Sequence, residues 1–371
     1  GSGRPIIGVM GEYDALAGLS QKVVPWKAPL KEGAPGHGCG HNIHGASGMG
    51  GAIAAKVAME KAGIRGTLKF FGTPGEESAS GKTFMVRDGV FKDVEAVLSH
   101  HPSPMNYGPL ASSNANNSVK FHFYGVSSHA AGAPEQGRSA MDAVELMNIG
   151  VNFLREHVIQ EARIHYVVEA GGEQPNVVPP YARSWYLIRA PERDQVDQIY
   201  NRILEIAKGA TIMSGTTHKV EFIKGVYNKL PNRILSEIVT SNMREVGAPK
   251  YTEEELKFAK EISKTIPPES KREALRKSKR PGWEKLMEVD IDQTIPDAWD
   301  EGDMTYGSTD VSDVSWQAPA MEFRTSTYVL GTPGHSWQNT AMSGMGIGHK
   351  SLIFAAQTIA GSVIDLMSKP E

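Results

Sequence analysis

Pro5-Ile6-Ile7-Gly8-Val9-Met10-Gly11-Glu12-Tyr13-Asp14 is an apolar run that ends in two carboxylates. Residues 5–10 read as a buried strand, because a short continuous apolar stretch closed by glycine fits a strand better than a helix of ordinary length. Working outward, residues 17–40 read as loop, rich in Gly, Pro and Lys. The Ala/Gly-rich stretch 41–62 has helical character, and 67–71 and 94–98 read as further strands. Strands alternating with helices predict an α/β fold with a mostly parallel sheet.

Near residue 115 the pattern changes. Residues 119–126 alternate as a half-exposed strand, 140–157 form an amphipathic helix, 163–169 and 182–189 are strands, 196–213 a helix and 220–227 a strand. That order, strand-helix-strand-strand-helix-strand, predicts a ferredoxin-like unit of roughly 110 residues inserted into the larger fold. The expected division is 1–114, 115–228 and 229–371, with the first and last stretches forming one domain. Six basic residues in 271–280 and seven acidic residues in 288–303 read as solvated helices and loops. Residues 349–367 read as a closing amphipathic helix.

Composition narrows the class. The 371 residues are 40% hydrophobic and 22% charged, enough apolar material for a sizeable core, and the net charge of −3 carries no general nucleic-acid signature. No apolar run is expected to reach the ~20 residues that span a bilayer. A single cysteine excludes an internal disulfide, and with no CxxC pair there is no zinc-ribbon or thioredoxin chemistry. A reducing cytoplasm is the expected location. Because the chain is already in a core strand by residue 5, a segment preceding it is expected.

Five of the twelve histidines fall in the first 101 residues. Gly36-His37-Gly38-Cys39-Gly40-His41-Asn42-Ile43-His44-Gly45 holds three of them and the only cysteine. A thiolate and an imidazole two residues apart, between glycines, can close on one metal ion; the same residues also fit a buried free cysteine beside a glycine turn. Gly72-Thr73-Pro74-Gly75-Glu76-Glu77 follows a strand directly. One of its adjacent carboxylates can ligate a metal while the other takes a proton from water, although a Glu-Glu pair is also a common exposed turn. Ser99-His100-His101-Pro102 and Gly331-Thr332-Pro333-Gly334-His335-Ser336-Trp337 add histidines in further loops. Sites in open α/β sheets gather at the carboxyl ends of strands. Cys39, His41, Glu77, His101 and His335 are one ligand too many for a closed tetrahedral zinc site and suit two ions about 3.5–4 Å apart.

Taken together, Gly11-Glu12-Tyr13-Asp14-Ala15-Leu16, His37-Gly38-Cys39-Gly40-His41, Pro74-Gly75-Glu76-Glu77, Asn176-Val177-Val178-Pro179 and Ser308-Thr309-Asp310-Val311 resemble the co-catalytic metallopeptidase and amidohydrolase superfamily. That superfamily includes carboxypeptidase G, aminoacylases and auxin-conjugate hydrolases, and the resemblance runs across essentially the whole chain. It implies that Cys39, His41, Glu77, His101 and His335 hold two divalent ions, Zn2+ or Mn2+. It also implies that Glu76 is the general base and that Asp14 stands beside the metal centre. His129 then matches a histidine of the inserted lid domain that polarises the scissile carbonyl, often from a partner subunit, while Asn176 and Arg189 match lid residues that hold a substrate carboxylate. Ser139 marks the start of a helix that His129 could instead cap, and Arg189 could instead pair with a surface acid. Many relatives carry aspartate after the ligating histidine where this chain has Asn42, which bears on how His41 is oriented.

The expected function is therefore a metal-dependent amidase acting on N-acyl or N-aroyl amino acids, p-aminobenzoyl-glutamate first among them, or on short peptides. The expected assembly is a homodimer through the lid, with no nucleic-acid or membrane partner. A dipeptidase or an aminoacylase of other specificity is the nearest alternative, and a non-catalytic binding protein on the same fold a more distant one.

Overall fold

The computed structural model describes residues 1 and 3–369. In chain order its longer strands are β1 Ile6–Glu12, β2 Thr67–Thr73, β3 Ala96–Ser103, β4 Ala115–Tyr124, β5 Arg163–Ala170, β6 Tyr181–Ala190, β7 Thr217–Val226 and β8 Ala320–Ser326. The longer helices used below are α1 His41–Ala62, α2 Ala140–Leu154, α3 Arg193–Ser214, α4 Arg233–Val246 and α5 Gly346–Ser368. The chain divides into two compact units. The first runs to Ser112, resumes over Leu230–Asp303 and continues from Asp313. The second is Ser113–Lys229 together with Met304–Ser312, a segment that the sequence alone places with the final stretch of the first.

The first unit is built on a parallel sheet in the order β8-β3-β1-β2. Val9, Leu98 and Phe323 from its strands bury against Ala55 of α1, Val239 of α4 and Phe354, Ile359 and Val363 of α5. Helix α1 comes unusually close to β1. A Cβ on Gly45 would lie 2.6 Å from the Glu12 carbonyl oxygen, and one on Gly48 2.6 Å from that of Met10. The glycines therefore let helix and strand backbones touch, which brings the first turn of α1 to the carboxyl end of β1. Helix α5 is long and apolar enough to cross a membrane by length and composition, contrary to the expectation that no such run exists. Much of its apolar surface is committed to the core, with Ile347, Phe354, Ile359, Val363 and Met367 buried.

The second unit is an antiparallel sheet in the order β5-β6-β4-β7. Helices α2 and α3 cover one face and share a core of Val119, Phe121, Phe123, Val144, Met147, Ile188, Val196 and Ile203. This is the expected ferredoxin-like arrangement.

Local differences have physical causes. Strand β3 runs past the apolar stretch through His100 and His101, because parallel pairing with β8 continues to Ser103. Helix α2 stops at Leu154 and tightens into a 3-10 turn over Arg155–His157. The basic and acidic runs are not simply solvated. Lys271 is buried and donates to the carbonyls of Met287 and Val289, at 2.9 and 2.6 Å. Arg280 pairs with buried Asp292, and Lys279 with Asp303 at 2.6 Å. The two charge blocks thus bind each other.

The close approach of α1 to β1 predicts opposite signs for two glycine substitutions. Gly48→Ala should destabilise the protein by about 1–3 kcal/mol through overpacking against the Met10 carbonyl. Gly209→Ala, in α3 with open space around the new methyl, should stabilise by about 0.4–1 kcal/mol. Thermal unfolding midpoints of the two variants against the parent check both signs.

Candidate metal centre

In the first unit, side chains converge from the carboxyl ends of the parallel strands. Glu12 and Asp14 end or follow β1, Glu76 and Glu77 follow β2, His101 is near the end of β3, and His335 follows β8. Cys39 and His41 come from the loop that enters α1, where Gly40 at φ 78° makes the turn. His335 itself adopts φ 53°, a backbone conformation that non-glycine residues rarely take and that often marks a functional position.

All five residues expected to hold metal come together, and Glu76 with them. The donor atoms of Cys39, His41 and His101 lie within 4.8 Å of one another, as do those of Cys39, Glu77 and His335 and those of His41, Glu76 and Glu77. Cys39 Sγ is 3.4 Å from His101 Nε2. Glu77 Oε1 is 3.3 Å from His335 Nε2 and 4.0 Å from His41 Nε2.

Hydrogen bonding fixes which ring nitrogens face inward. His41 Nδ1 is 2.9 Å from Asp14 Oδ1. A carboxylate only accepts, so Nδ1 carries a proton and Nε2 is the nitrogen that presents a lone pair once a metal displaces the second proton. His101 Nδ1 likewise donates to the Pro102 carbonyl at 2.8 Å, leaving Nε2 toward Cys39. The other oxygen of Asp14 accepts the Glu77 N–H at 3.0 Å. His41 Nε2, Glu77 Oε1 and Glu12 Oε2 are buried without a hydrogen-bond partner. Converging unpaired acceptors and a thiol are what a divalent cation requires, so the donor set fits a metal centre.

The charges behave accordingly. Burial opposes ionisation of Asp14, but the His41 bond and the Glu77 N–H prevail and hold its carboxyl well below the usual range. Burial also opposes a charged His41, yet the Asp14 bond and the Glu12 charge push it up to about 9. His101 is pushed down to about 3, mainly by burial, and stays neutral. Burial and the Glu77 charge push the Cys39 thiol up. Glu77 is lowered despite its burial, chiefly by the His335 imidazole beside it.

Beneath the centre lie buried and half-buried polar residues for which sequence reading assigns no role. Lys82 Nζ pairs with Glu12 Oε1 at 2.5 Å, and Arg324 with Glu322 at 2.8 Å. Glu12, His44 and Glu322 are a further group of close donor atoms. His44 nevertheless has no lone pair to offer an ion. Its Nδ1 accepts the Glu12 N–H at 2.9 Å, and its protonated Nε2 faces Ser99 Oγ at 3.2 Å. No motif in the chain points to Lys82, Glu322 or Arg324. The burial of Lys82 and Glu322 and the pairing of Arg324 with Glu322 are the signal, and they appear only in three dimensions.

His129, Asn176 and Arg189 belong to the second unit. His129 bridges to Val177, and the Ala130 N–H donates to the Asn176 carbonyl at 3.0 Å, so the two expected substrate-binding loops are side by side. His129 does not cap α2; Ser139 does, accepting from the Asp142 N–H. Its Nδ1 instead accepts from Gly132 N–H at 2.9 Å. Arg189 projects from β6 and donates to Ser308 Oγ at 3.1 Å.

Residues 8–332 match the family model for peptidase family M20/M25/M40. The chain belongs to this family. It is 41% identical over 376 residues to a p-aminobenzoyl-glutamate hydrolase subunit of Escherichia coli (strain K12), covering 99% of this chain and 78% of that protein. It is 30% identical to the Xaa-Arg dipeptidase of Homo sapiens, over 66% of this chain and 53% of that one. Among solved structures, a dinuclear metal-binding peptidase of the M20 family from Bacillus subtilis aligns at TM-score 0.55 and 16% identity, covering 96% of this chain and 82% of that one. The aminobenzoyl-glutamate utilization protein of Klebsiella pneumoniae aligns at 0.59 and 18%, covering 97% and 71%. The M20 protein is thus an amidohydrolase of the metallopeptidase type.

A raised His41 predicts proton-linked metal binding. In the metal-free protein His41 is protonated at neutral pH, and a bound ion must displace that proton. Apparent affinity should therefore rise from pH 7 to about pH 9 and then flatten with respect to this group. Calorimetry in buffers of different ionisation enthalpy should show proton release on binding at pH 7.

Proposed function

We propose that this M20 enzyme cleaves the amide bond of N-acyl or N-aroyl amino acids, with p-aminobenzoyl-glutamate as the substrate to test first. The observation that carries the reading is the meeting of Cys39, His41, Glu77, His101 and His335 around unpartnered buried acceptors, in a chain that resembles a p-aminobenzoyl-glutamate hydrolase subunit. Two divalent ions, zinc or manganese, held by those five residues would supply a nucleophile at neutral pH and polarise the carbonyl. The thiolate favours zinc by softness, and the carboxylate and imidazoles also suit manganese.

The chain's own residues then divide the work. Glu76 takes the proton of the attacking water and returns it to the departing amine. Asp14 holds His41 in the tautomer that presents Nε2. His129 donates to the oxygen on which negative charge develops. Arg189 and Asn176 hold the free carboxylate of the amino acid, a role for which the planar guanidinium fork is suited. A homodimer through the second unit is part of the proposal. It is supported by β5, an edge strand of that sheet with Val167 and Val168 exposed. The cytoplasmic location rests on the lone free cysteine.

A dipeptidase reading is favoured by one observation, the 30% identity to the Xaa-Arg dipeptidase. The experiment is p-aminobenzoate release from p-aminobenzoyl-glutamate, comparing chelator-stripped protein with protein reloaded with manganese or zinc. Activity should return with metal, and Glu76→Ala should lower kcat by roughly 10²–10⁴ while metal content stays the same. Bound metal with turnover of dipeptides, and none of the aroyl amide, would move the assignment to the dipeptidase.

A further inference from the structure

Glu12 takes no part in the ligand set above, yet it lies within that set. It is 1% exposed and ends β1, where its two carboxylate oxygens have different surroundings. Oε1 is held by the buried Lys82 ammonium at 2.5 Å. Oε2 has no hydrogen-bond partner and lies 3.1 Å from His41 Nε2. At 3.1 Å the two atoms still make no hydrogen bond, and once a metal displaces the Nε2 proton of His41 that nitrogen is a lone pair facing a second buried acceptor at contact distance. His44 Nε2–H lies 3.5 Å from Oε2 and closer to Ser99 Oγ.

Two acceptors hold that position stably when a cation lies between them. Atoms bound to one ion at about 2.0–2.2 Å sit about 3.0–3.5 Å apart. The separation of Glu12 Oε2 from His41 Nε2 falls in that range, as does the 3.3 Å between Glu77 Oε1 and His335 Nε2. If Glu12 served only as the counter-ion of Lys82 and of a protonated His41, Oε2 would be expected to accept a hydrogen bond from Nε2–H, and it accepts none.

We propose that Glu12 is a further metal ligand, binding through Oε2 the ion that His41 holds, with Lys82 clamping Oε1 so that the carboxylate binds through one oxygen. The proposal rests on the dinuclear reading of the site. It also bears on metal choice, since an added carboxylate hardens the site and favours manganese relative to zinc.

Manganese and zinc titrations of the purified protein against a chelating dye test it, with circular dichroism and thermal unfolding as folding controls. The parent should bind two ions. Glu12→Gln should weaken one of the two sites by tenfold or more, manganese more than zinc, and Glu12→Asp should fall between. A crystal structure of the manganese-loaded parent, with anomalous scattering locating the ions, separates a ligand from a residue that merely positions His41. Bonding distance from Oε2 to an ion supports the proposal, and a separation beyond about 3 Å overturns it even if affinity changes. Two ions bound by Glu12→Gln with parental affinities would overturn the Glu12 assignment alone. A parent that binds no metal would overturn the dinuclear reading and this proposal with it.

Discussion

Asp14 ties the site together. One of its oxygens takes the Nδ1 proton of His41, and the other takes the backbone N–H of Glu77. A single carboxylate therefore joins three chain segments: the end of β1, the start of α1 and the turn after β2. The bond to His41 also selects the ring tautomer, and with it the direction in which the ligating lone pair points. Asn42 stands where many relatives have aspartate, and this contact explains why the change leaves His41 oriented. The orienting acid is Asp14, supplied by another strand end.

That contact is possible because α1 packs so close to β1. Gly45 and Gly48 remove the side chains that would separate helix from strand, and His41 and His44 then come down onto Glu12 and Asp14. Below them the core is polar as well as apolar. His100 bonds Ser47 Oγ through one nitrogen at 2.9 Å and Thr325 Oγ1 through the other at 2.5 Å, and Thr325 continues to Ser351 at 2.7 Å. Burial holds His100 well below its ordinary pKa. With both nitrogens engaged, it serves as rigid support under the metal-facing residues.

Much of this was legible in the residues. The apolar run 5–10, the Ala/Gly helix and the short strands report their burial through periodicity, and the six-element order of the second unit is readable for the same reason. The convergence of Cys39, His41, Glu76, Glu77, His101 and His335 was legible because each sits in a short stretch of distinctive chemistry beside a strand end or at the entry to α1. Strand β8 was not, since Glu322 and Arg324 interrupt its apolar pattern and their pairing with each other is visible only in the fold. Lys271, Arg280 and Asp292 were hidden similarly. A charge run reads as solvated until the opposing run that buries it is known. Glu12 was visible as a motif residue, but its unpaired oxygen depends on Lys82, seventy positions away.

The central claim is that these strand ends form one dinuclear metal centre. Elemental analysis by inductively coupled plasma mass spectrometry, on protein reconstituted with zinc or manganese and freed of excess ion, tests it most directly. The account predicts two ions per chain, falling toward one or none in a Cys39→Ala, His41→Ala double variant that remains folded. One ion or none in the parent, or an unchanged two in that variant, would contradict it.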